Sequence, residues 1–229
     1  MTKILFLHGN AGTHRDATPL REHLTTKGIT LDDFSAPDLY QPIALHQLLA
    51  GKDWTVVAHS WGCYRLLQQI PEIEHHLKKI ILVNPYLQTE KPLSMAARTA
   101  LSVPLVGVHL LKSNHHKQKD QFLRNMLAPA NLDQVPYASE LQKQLNASEL
   151  WILAAQNKIK QQQEPLNKED DIDIPTVALI GEQDQVCNNE LQVTVLKELI
   201  PNVTVKTFTA AGHGMIWTHL EEISKELSI

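Results

Sequence analysis

One segment of the sequence has the composition of a nucleophilic turn. Ser60 lies in Ala58-His59-Ser60-Trp61-Gly62, with a small residue two positions before it and another two positions after it. Small flanking residues are typical of a sharp turn between a strand and a helix, because the surrounding backbone segments come close together. Such a turn exposes the serine hydroxyl beside the first free amides of the helix, which favour negative charge. The pattern predicts a nucleophile, although serine is also a common helix cap.

A serine hydroxyl becomes an effective nucleophile when a nearby base takes its proton. His213 lies in Ala210-Ala211-Gly212-His213-Gly214, and we interpret the two glycines as leaving its imidazole free to reach the serine. The chain contains twelve histidines, so the residue type alone does not identify the base. The flanking sequence of His213 is what makes it the candidate. Four others are interpreted as turn or surface residues: His59, His75, His76 and His219. The pair His115-His116 lacks the acidic or cysteine spacing of a metal site, so no metal is predicted.

A third group is needed to orient the imidazole and to stabilise its protonated form. Asp184 lies in Gly181-Glu182-Gln183-Asp184, directly after an apolar run, and is the acid that we predict. Glu182 is the second candidate for the same role. The simpler alternative is an aspartate in a surface turn, where this residue type is common.

The segment His8-Gly9-Asn10-Ala11-Gly12 follows the first apolar run of the chain. It lacks the Gly-x-Gly-x-x-Gly pattern of dinucleotide sites and the Gly-Lys-Ser/Thr of a phosphate loop. Acyl transfer uses backbone amides that bind an oxyanion, and we predict those of Asn10 and of Trp61, the residue after the nucleophile. Four residues near these turns are predicted to contact the substrate: His8, Gly9, His59 and Tyr86.

These groups meet only if regular elements bring them together. Short apolar runs predict strands over residues 3–7, 29–34, 54–58, 79–83, 175–180 and 203–208. Helical spacing predicts helices over residues 16–27, 61–69, 189–199 and 214–227. Strands that alternate with helices favour an α/β fold, a mostly parallel sheet with helices on both faces. Ligands bind beyond the carboxyl ends of such strands, and each candidate group directly follows a strand.

The alternation stops after Asn84-Pro85 and resumes at about residue 175. Residues 87–174 are rich in Gln, Asn, Lys and Ala, with helical patterns over 117–127 and 139–163. We therefore predict a core formed by residues 1–86 and 175–229, with a helical cap inserted over residues 87–174.

The motifs around Gly9, Ser60, Asp184 and His213 resemble those of the α/β-hydrolase family, with Ala58 in place of the usual glycine. The resemblance covers the core and implies a serine hydrolase that acts on carboxylic esters or thioesters without a cofactor. The chain order of serine, acid and histidine is the one that this architecture requires. The cap resembles that of small carboxylesterases, in particular those that cleave the methyl ester of pimeloyl-acyl carrier protein.

Composition limits the partners and the compartment. The 21 basic and 25 acidic residues give a net charge of −4, whereas a nucleic-acid-binding surface is basic, so no nucleic acid is expected. Two cysteines are too few for the disulfide bonds that stabilise small secreted domains. No apolar stretch reaches the length of a membrane span. A cytoplasmic protein acting on a small-molecule or carrier-bound acyl ester is the expectation.

A basic cluster in the predicted cap suggests a protein partner. It consists of Lys112, His115, His116, Lys117, Lys119 and Arg124. A charge run of this kind is usually a solvated helix face. The alternative is a docking surface for an acidic partner such as acyl carrier protein.

Two further functions remain open from the sequence. One is a non-hydrolytic binding protein on the same scaffold, because a fold does not fix a function. The other is a cofactor-free enzyme with different chemistry, such as a lyase, an acyltransferase or a haloperoxidase-like enzyme.

Overall fold

The structure is a computed structural model, and it describes residues 2–9, 12–37, 39, 44–49, 51–88, 115–135, 137, 166 and 172–227. Within these ranges the chain forms six strands and seven α-helices. The strands are β1 Thr2–Leu7, β2 Leu31–Ser35, β3 Trp54–His59, β4 Leu77–Val83, β5 Thr176–Gly181 and β6 Thr204–Phe208. The helices are α1 Thr18–Thr26, α2 Trp61–Leu67, α3 Ile70–Ile73, α4 His115–Leu127, α5 Asn189–Leu199, α6 Met215–Thr218 and α7 Leu220–Leu227. Short 3-10 helices cover His14–Ala17, Leu45–Gln47, Glu74–His76 and Leu132–Gln134.

The six strands form one sheet in the order β2-β1-β3-β4-β5-β6, and every described pairing is parallel. Leu7 pairs with Ala58, and His59 pairs with Val83. The carboxyl ends of the central strands therefore lie at one edge of the sheet, where the predicted site residues follow them. The predicted fold class, a parallel sheet with helices, is confirmed.

The central strands are buried on both faces, as their nearly continuous apolar sequences predict. Alternate residues point into two cores because successive side chains of a strand lie on opposite faces. Leu5, Val56 and Leu82 belong to one core, with α2, α3 and α5. Ile4 and Ile81 belong to the other, with α1, α4, α6 and α7. Because each strand must bury both of its faces, its alignment with the neighbouring strands is fixed. This alignment determines where the strands end.

The element boundaries differ from the sequence prediction at several points. The helix expected over residues 16–27 begins as the 3-10 turn His14–Ala17, and Gly28 ends the segment in the left-handed region. The helix expected over residues 214–227 is broken at His219 into α6 and α7. The Thr218 hydroxyl donates to the Gly214 carbonyl and lies 2.8 Å from His219 Nδ1, and local bonds of this type compete with a continuous helix.

Only part of the predicted cap lies within the described residues. The helix predicted over residues 117–127 is α4, whose Leu123, Met126 and Leu127 are buried in the second core. The helix predicted over residues 139–163 lies outside the described residues, and the division into core and cap stays a prediction. No helix in the described ranges is both long and apolar enough to cross a membrane.

Candidate active site

Ser60 occupies the sharp turn between β3 and α2. Its φ of 53° lies in the left-handed region, which is uncommon for a residue with a side chain and is often found at functional sites. The backbone around it is tightly packed, because a β-carbon at Gly62 would overlap the Leu7 carbonyl oxygen and lie 2.7 Å from that of His8. Glycine is therefore required at position 62, as the sequence pattern indicates, whereas Ala58 is accommodated with no exposed surface.

His213 connects the serine to an acid. Its Nε2 lies 3.0 Å from Ser60 Oγ, and its Nδ1 lies 2.7 Å from Asp184 Oδ2. Because a carboxylate only accepts, Nδ1 carries the proton, and Nε2 is left to accept from the serine hydroxyl. The side chains of His213 and Asp184 are almost fully buried. The three predicted residues thus form a continuous hydrogen-bonded chain.

Two backbone amides fix the free oxygen of Asp184. Asp184 Oδ1 accepts from the amides of Val186, at 2.7 Å, and Cys187, at 2.9 Å. These bonds turn the carboxylate so that Oδ2 faces the imidazole. Glu182, the second candidate for the acid, is exposed. The structure thus brings Asp184 rather than Glu182 to His213.

The glycines beside His213 lie where neighbouring backbone leaves no room for a side chain. A β-carbon at Gly212 would overlap the carbonyl oxygen of Ala128, and one at Gly214 would lie 2.9 Å from that of Met126. The Gly214 amide donates to the same Met126 oxygen at 2.7 Å. Both glycines are needed because the end of α4 packs against this loop.

His59 is not the turn or surface residue that the sequence suggests. It ends β3 and is only 1% exposed, and its Nε2 lies 2.9 Å from the carbonyl oxygen of His213. Burial lowers the pKa of His59 well below its ordinary value, and the neighbouring His213 and His8 lower it further. The ring therefore stays neutral and donates through Nε2–H.

Asn84 is a site residue that the sequence analysis treated only as a strand boundary. Its Nδ2 donates to the carbonyl oxygens of Gly212, at 2.7 Å, and His213, at 2.9 Å, while its Oδ1 accepts from the Gly181 amide at 2.7 Å. A signal was present, because Asn84 directly follows β4 just as the other site residues follow their strands. It was missed because its side chain bonds to backbone groups of distant loops, which no local sequence pattern records.

The predicted oxyanion site is described in part. A β-carbon at Gly9 would lie 3.4 Å from Ser60 Oγ, so the backbone after β1 passes close to the hydroxyl. Trp61 is the first residue of α2 and directly follows Ser60. Asn10 lies outside the described residues.

The predicted substrate contacts are placed as follows. His8 Nδ1 donates to the Gly9 carbonyl at 2.8 Å, and His8 Nε2 accepts from the Leu39 amide at 2.9 Å. Both ring nitrogens of His8 therefore brace the loop. Tyr86 is partly buried, and its amide donates to the Ser60 carbonyl at 3.1 Å. Direct contact of these residues with a substrate stays a prediction.

One group of side chains at the site has the chemistry of metal ligands. Ligand atoms of Asp184, Cys187 and His213 all lie within 4.8 Å of one another, with Cys187 Sγ 3.7 Å from His213 Nδ1. However, His213 Nδ1 and Asp184 Oδ2 are already hydrogen-bonded to each other. A cation would have to displace the Nδ1 proton, so metal binding and the hydrogen-bonded chain are mutually exclusive.

Solved structures from three bacteria have the same fold. An esterase from Thermogutta terrifontis has a TM-score of 0.74 at 16% identity, with 99% of this chain and 89% of that one covered. An esterase from Exiguobacterium antarcticum has a TM-score of 0.73 at 18% identity, with coverage of 99% and 90%. A bromoperoxidase from Bacillus anthracis has a TM-score of 0.69 at 18% identity, with coverage of 99% and 91%.

The sequence itself identifies the family. No protein of curated function matches the chain significantly. The profile of Hydrolase_4, described as serine aminopeptidase S33, matches residues 8–218, which is most of the chain. The α/β-hydrolase resemblance predicted from the motifs is confirmed at this level. This chain therefore belongs to the serine aminopeptidase S33 family of α/β-hydrolases.

Proposed function

We propose that this protein hydrolyses carboxylic esters, with Ser60 as nucleophile, His213 as general base and Asp184 as the acid that orients the imidazole. The observation that carries the proposal is the chain of hydrogen bonds from Ser60 Oγ through His213 to Asp184 Oδ2, at 3.0 and 2.7 Å. The family match and the esterases among proteins of the same fold support it.

The geometry supports a two-step acyl transfer. Ser60 Oγ attacks the ester carbonyl carbon while His213 Nε2 takes the hydroxyl proton, and Asp184 stabilises the resulting imidazolium. The imidazolium then returns this proton to the departing alcohol oxygen as the carbon–oxygen bond breaks, which leaves an acyl-serine. Water, deprotonated by His213 Nε2, then attacks the acyl carbon. The bond from this carbon to Ser60 Oγ breaks as Nε2 returns the proton to Oγ, which releases the carboxylic acid and restores the serine.

The oxyanion of each tetrahedral intermediate requires donors that are already in place. The Trp61 amide at the start of α2 is one proposed donor, because the first amides of a helix have no partner within the helix. The Asn10 amide is the other. Donors of this kind contribute about 10²–10³ in rate each.

Amide hydrolysis is the second candidate function, because the family is described as a serine aminopeptidase. The same three residues serve either bond, so the substrate distinguishes the two activities. Purified protein should be compared on short p-nitrophenyl esters and on aminoacyl p-nitroanilides. Faster turnover of the esters supports the proposal, and turnover of the anilides alone would replace it.

The nucleophile is tested by Ser60→Ala. We expect this variant to lose ester turnover and covalent labelling by a fluorophosphonate probe, because no hydroxyl remains to attack. Ser224→Ala is the matched control, since the Ser224 hydroxyl is also buried but bonds to Glu221 and His23 on the outer helices. Undiminished hydrolysis by folded Ser60→Ala would rule out Ser60 as nucleophile.

A carrier-bound acyl methyl ester is our finer proposal for the substrate. It rests on the resemblance of the cap to small carboxylesterases and on the basic cluster. Arg124 is exposed on α4, while the other side chains of that cluster lie outside the described residues. Arg124→Glu should slow the cleavage of a carrier-bound ester more than that of the free ester, and an equal effect on both would exclude docking.

The other functions considered from the sequence are distinguished by product analysis. Absence of fluorophosphonate labelling would support a binding protein. An acyltransferase would form a new ester with an added alcohol, a haloperoxidase-like enzyme would depend on peroxide, and a lyase would release an unsaturated product instead of acid and alcohol.

A further inference from the structure

We propose that His59 and Asn84 are positioning residues that together hold the backbone of His213 and thereby set the distance between its imidazole and Ser60. We refer to the two side chains as the carbonyl clamp. The inference rests on the proposed function of Ser60 and His213, and it adds two residues that act through the backbone of His213.

The clamp closes on a single atom. The carbonyl oxygen of His213 accepts from His59 Nε2 at 2.9 Å and from Asn84 Nδ2 at 2.9 Å. A backbone carbonyl has two lone pairs, so these donors fill its hydrogen-bonding capacity. In the loop after β6, these two buried side-chain donors act in addition to backbone bonds such as that from the Gly214 amide to the Met126 carbonyl. The position of the imidazole is therefore determined by residues from β3 and from the end of β4.

Asn84 extends the clamp to the acid. Its Nδ2 also donates to Gly212, and its Oδ1 accepts from the amide of Gly181, at the end of β5 and three residues before Asp184. One amide group thus joins the loop of the base to the loop of the acid. Asn84 itself has a φ of 42°, a conformation that asparagine tolerates better than most residues.

His59 links the clamp to the nucleophile. It directly precedes Ser60 in the chain, so the residue that positions the serine also holds the backbone of the base. Its ring packs near the rings of His213 and Trp217, with centroid distances of 5.0 and 5.6 Å, which restricts its rotation. The other nitrogen, Nδ1, is buried and has no hydrogen-bond partner among the described residues, whereas Nε2 donates to His213.

Loss of one clamp donor should affect turnover more than binding. A displacement of about 1 Å in a catalytic group costs about 10²-fold in rate. We therefore expect kcat to fall about 10- to 100-fold, while KM changes less than about threefold, because the clamp acts on the backbone of His213.

Asn84→Asp tests the asparagine. Aspartate tolerates the same backbone conformation and keeps an oxygen for the Gly181 amide, but when ionised it offers no proton to the two carbonyls. Asn188→Asp is the matched control, because Asn188 caps α5 as an acceptor, a function that aspartate performs equally well. A drop in kcat in the first variant but not in the control supports the clamp.

His59 is tested by a pair of substitutions. His59→Leu removes the donor, and His59→Gln places an amide N–H at a similar reach. The clamp predicts that the leucine variant loses kcat and that glutamine restores a substantial part of it. If the two variants are equally impaired, or neither is, the ring has no role as a donor.

A spectroscopic measurement separates this inference from the proposed function. The Nδ1 proton of His213, hydrogen-bonded to Asp184, should give a downfield proton resonance in NMR spectra of the wild type. We expect folded Asn84→Asp and His59→Leu to shift or broaden it, whether or not the protein is an esterase. If Ser60→Ala does not reduce turnover, the proposed function is overturned, whereas the clamp is not. An unchanged resonance with kcat within about twofold of wild type overturns the clamp alone.

Discussion

The carbonyl oxygen of Ala128 occupies the space in which a β-carbon at Gly212 would lie. Ala128 directly follows α4, and Gly212 directly precedes His213. The segment between β4 and β5 therefore packs against the loop that carries the predicted base. The Gly214 amide reinforces this contact through its bond to Met126. The described part of the segment between β4 and β5 thus supports the His213 loop as well as packing on the sheet.

Gly212→Ala should impair both stability and activity, because the new methyl group forces the Ala128 backbone and the His213 loop apart. Overpacking of this kind costs about 1–3 kcal/mol in the free energy of unfolding, which urea denaturation would measure. Gly28→Ala is the control: its φ of 72° imposes strain, but no atom of the described part of the chain lies within 4 Å of the added carbon. We expect the control to lose stability and keep kcat, and a similar kcat for both variants would contradict the argument.

Asp184→Asn should reduce kcat by up to about 10⁴-fold, as expected for the loss of an acid that orients a catalytic imidazole. The substitution retains one oxygen but replaces the other with an NH₂ group, which would not accept from His213 Nδ1–H. Steady-state kinetics on a p-nitrophenyl ester would measure the effect. Glu182→Gln, two residues away and exposed, should leave kcat unchanged. The reverse ranking would transfer the role to Glu182.

Burial of neutral His59 should make stability depend on pH. Its pKa is lowered in the folded protein, so below about pH 6.5 the unfolded chain binds a proton that the folded protein does not. The free energy of unfolding should therefore be unaffected by this group above pH 6.5. Below that pH it should fall by at most about 1.4 kcal/mol per pH unit.

His59→Gln provides the comparison, because it removes the titrating group and leaves the others in place. Urea unfolding of both proteins at about pH 7.5, 6 and 5 would give the difference in stability at each pH. We expect the wild type to lose stability relative to the variant as the pH falls. A difference that is independent of pH would show that His59 is not held neutral by the fold.

Cys63 should resist alkylation in the folded protein. It lies on α2 with no exposed surface, its thiol donates to the Ala58 carbonyl at 3.2 Å, and burial raises the pKa of the thiol. Because the thiolate is the reactive form, iodoacetamide should label Cys63 only after unfolding. Peptide mass spectrometry with and without urea would measure this. Rapid labelling under native conditions would indicate that α2 opens readily.

Much of the fold and of the site follows from local sequence rules. Alternating apolar runs and helical spacing predict the strands and helices, because burial on two faces of a parallel sheet requires those patterns. Parallel strands end at one edge, so the residues after them, such as Ser60 and His213, are expected to meet there. The boundaries were less accurate where side chains compete with the backbone, as at His219.

What the sequence did not reveal depends on contacts between segments far apart in the chain. The sequence predicts Asp184 and leaves Glu182 as a second candidate, whereas the two backbone donors that hold the Asp184 carboxylate toward His213 are seen only in the structure. The need for Gly212 arises from a carbonyl 84 positions earlier, and Asn84 reaches a loop nearly 130 residues away. Local patterns record periodicity and turn chemistry, whereas the partner of a buried hydrogen bond is set only when packing brings distant backbone groups together. For that reason the sequence by itself determined which residues lie at the carboxyl-terminal edge of the sheet. The tertiary structure decided which hydrogen bonds and contacts hold them in position.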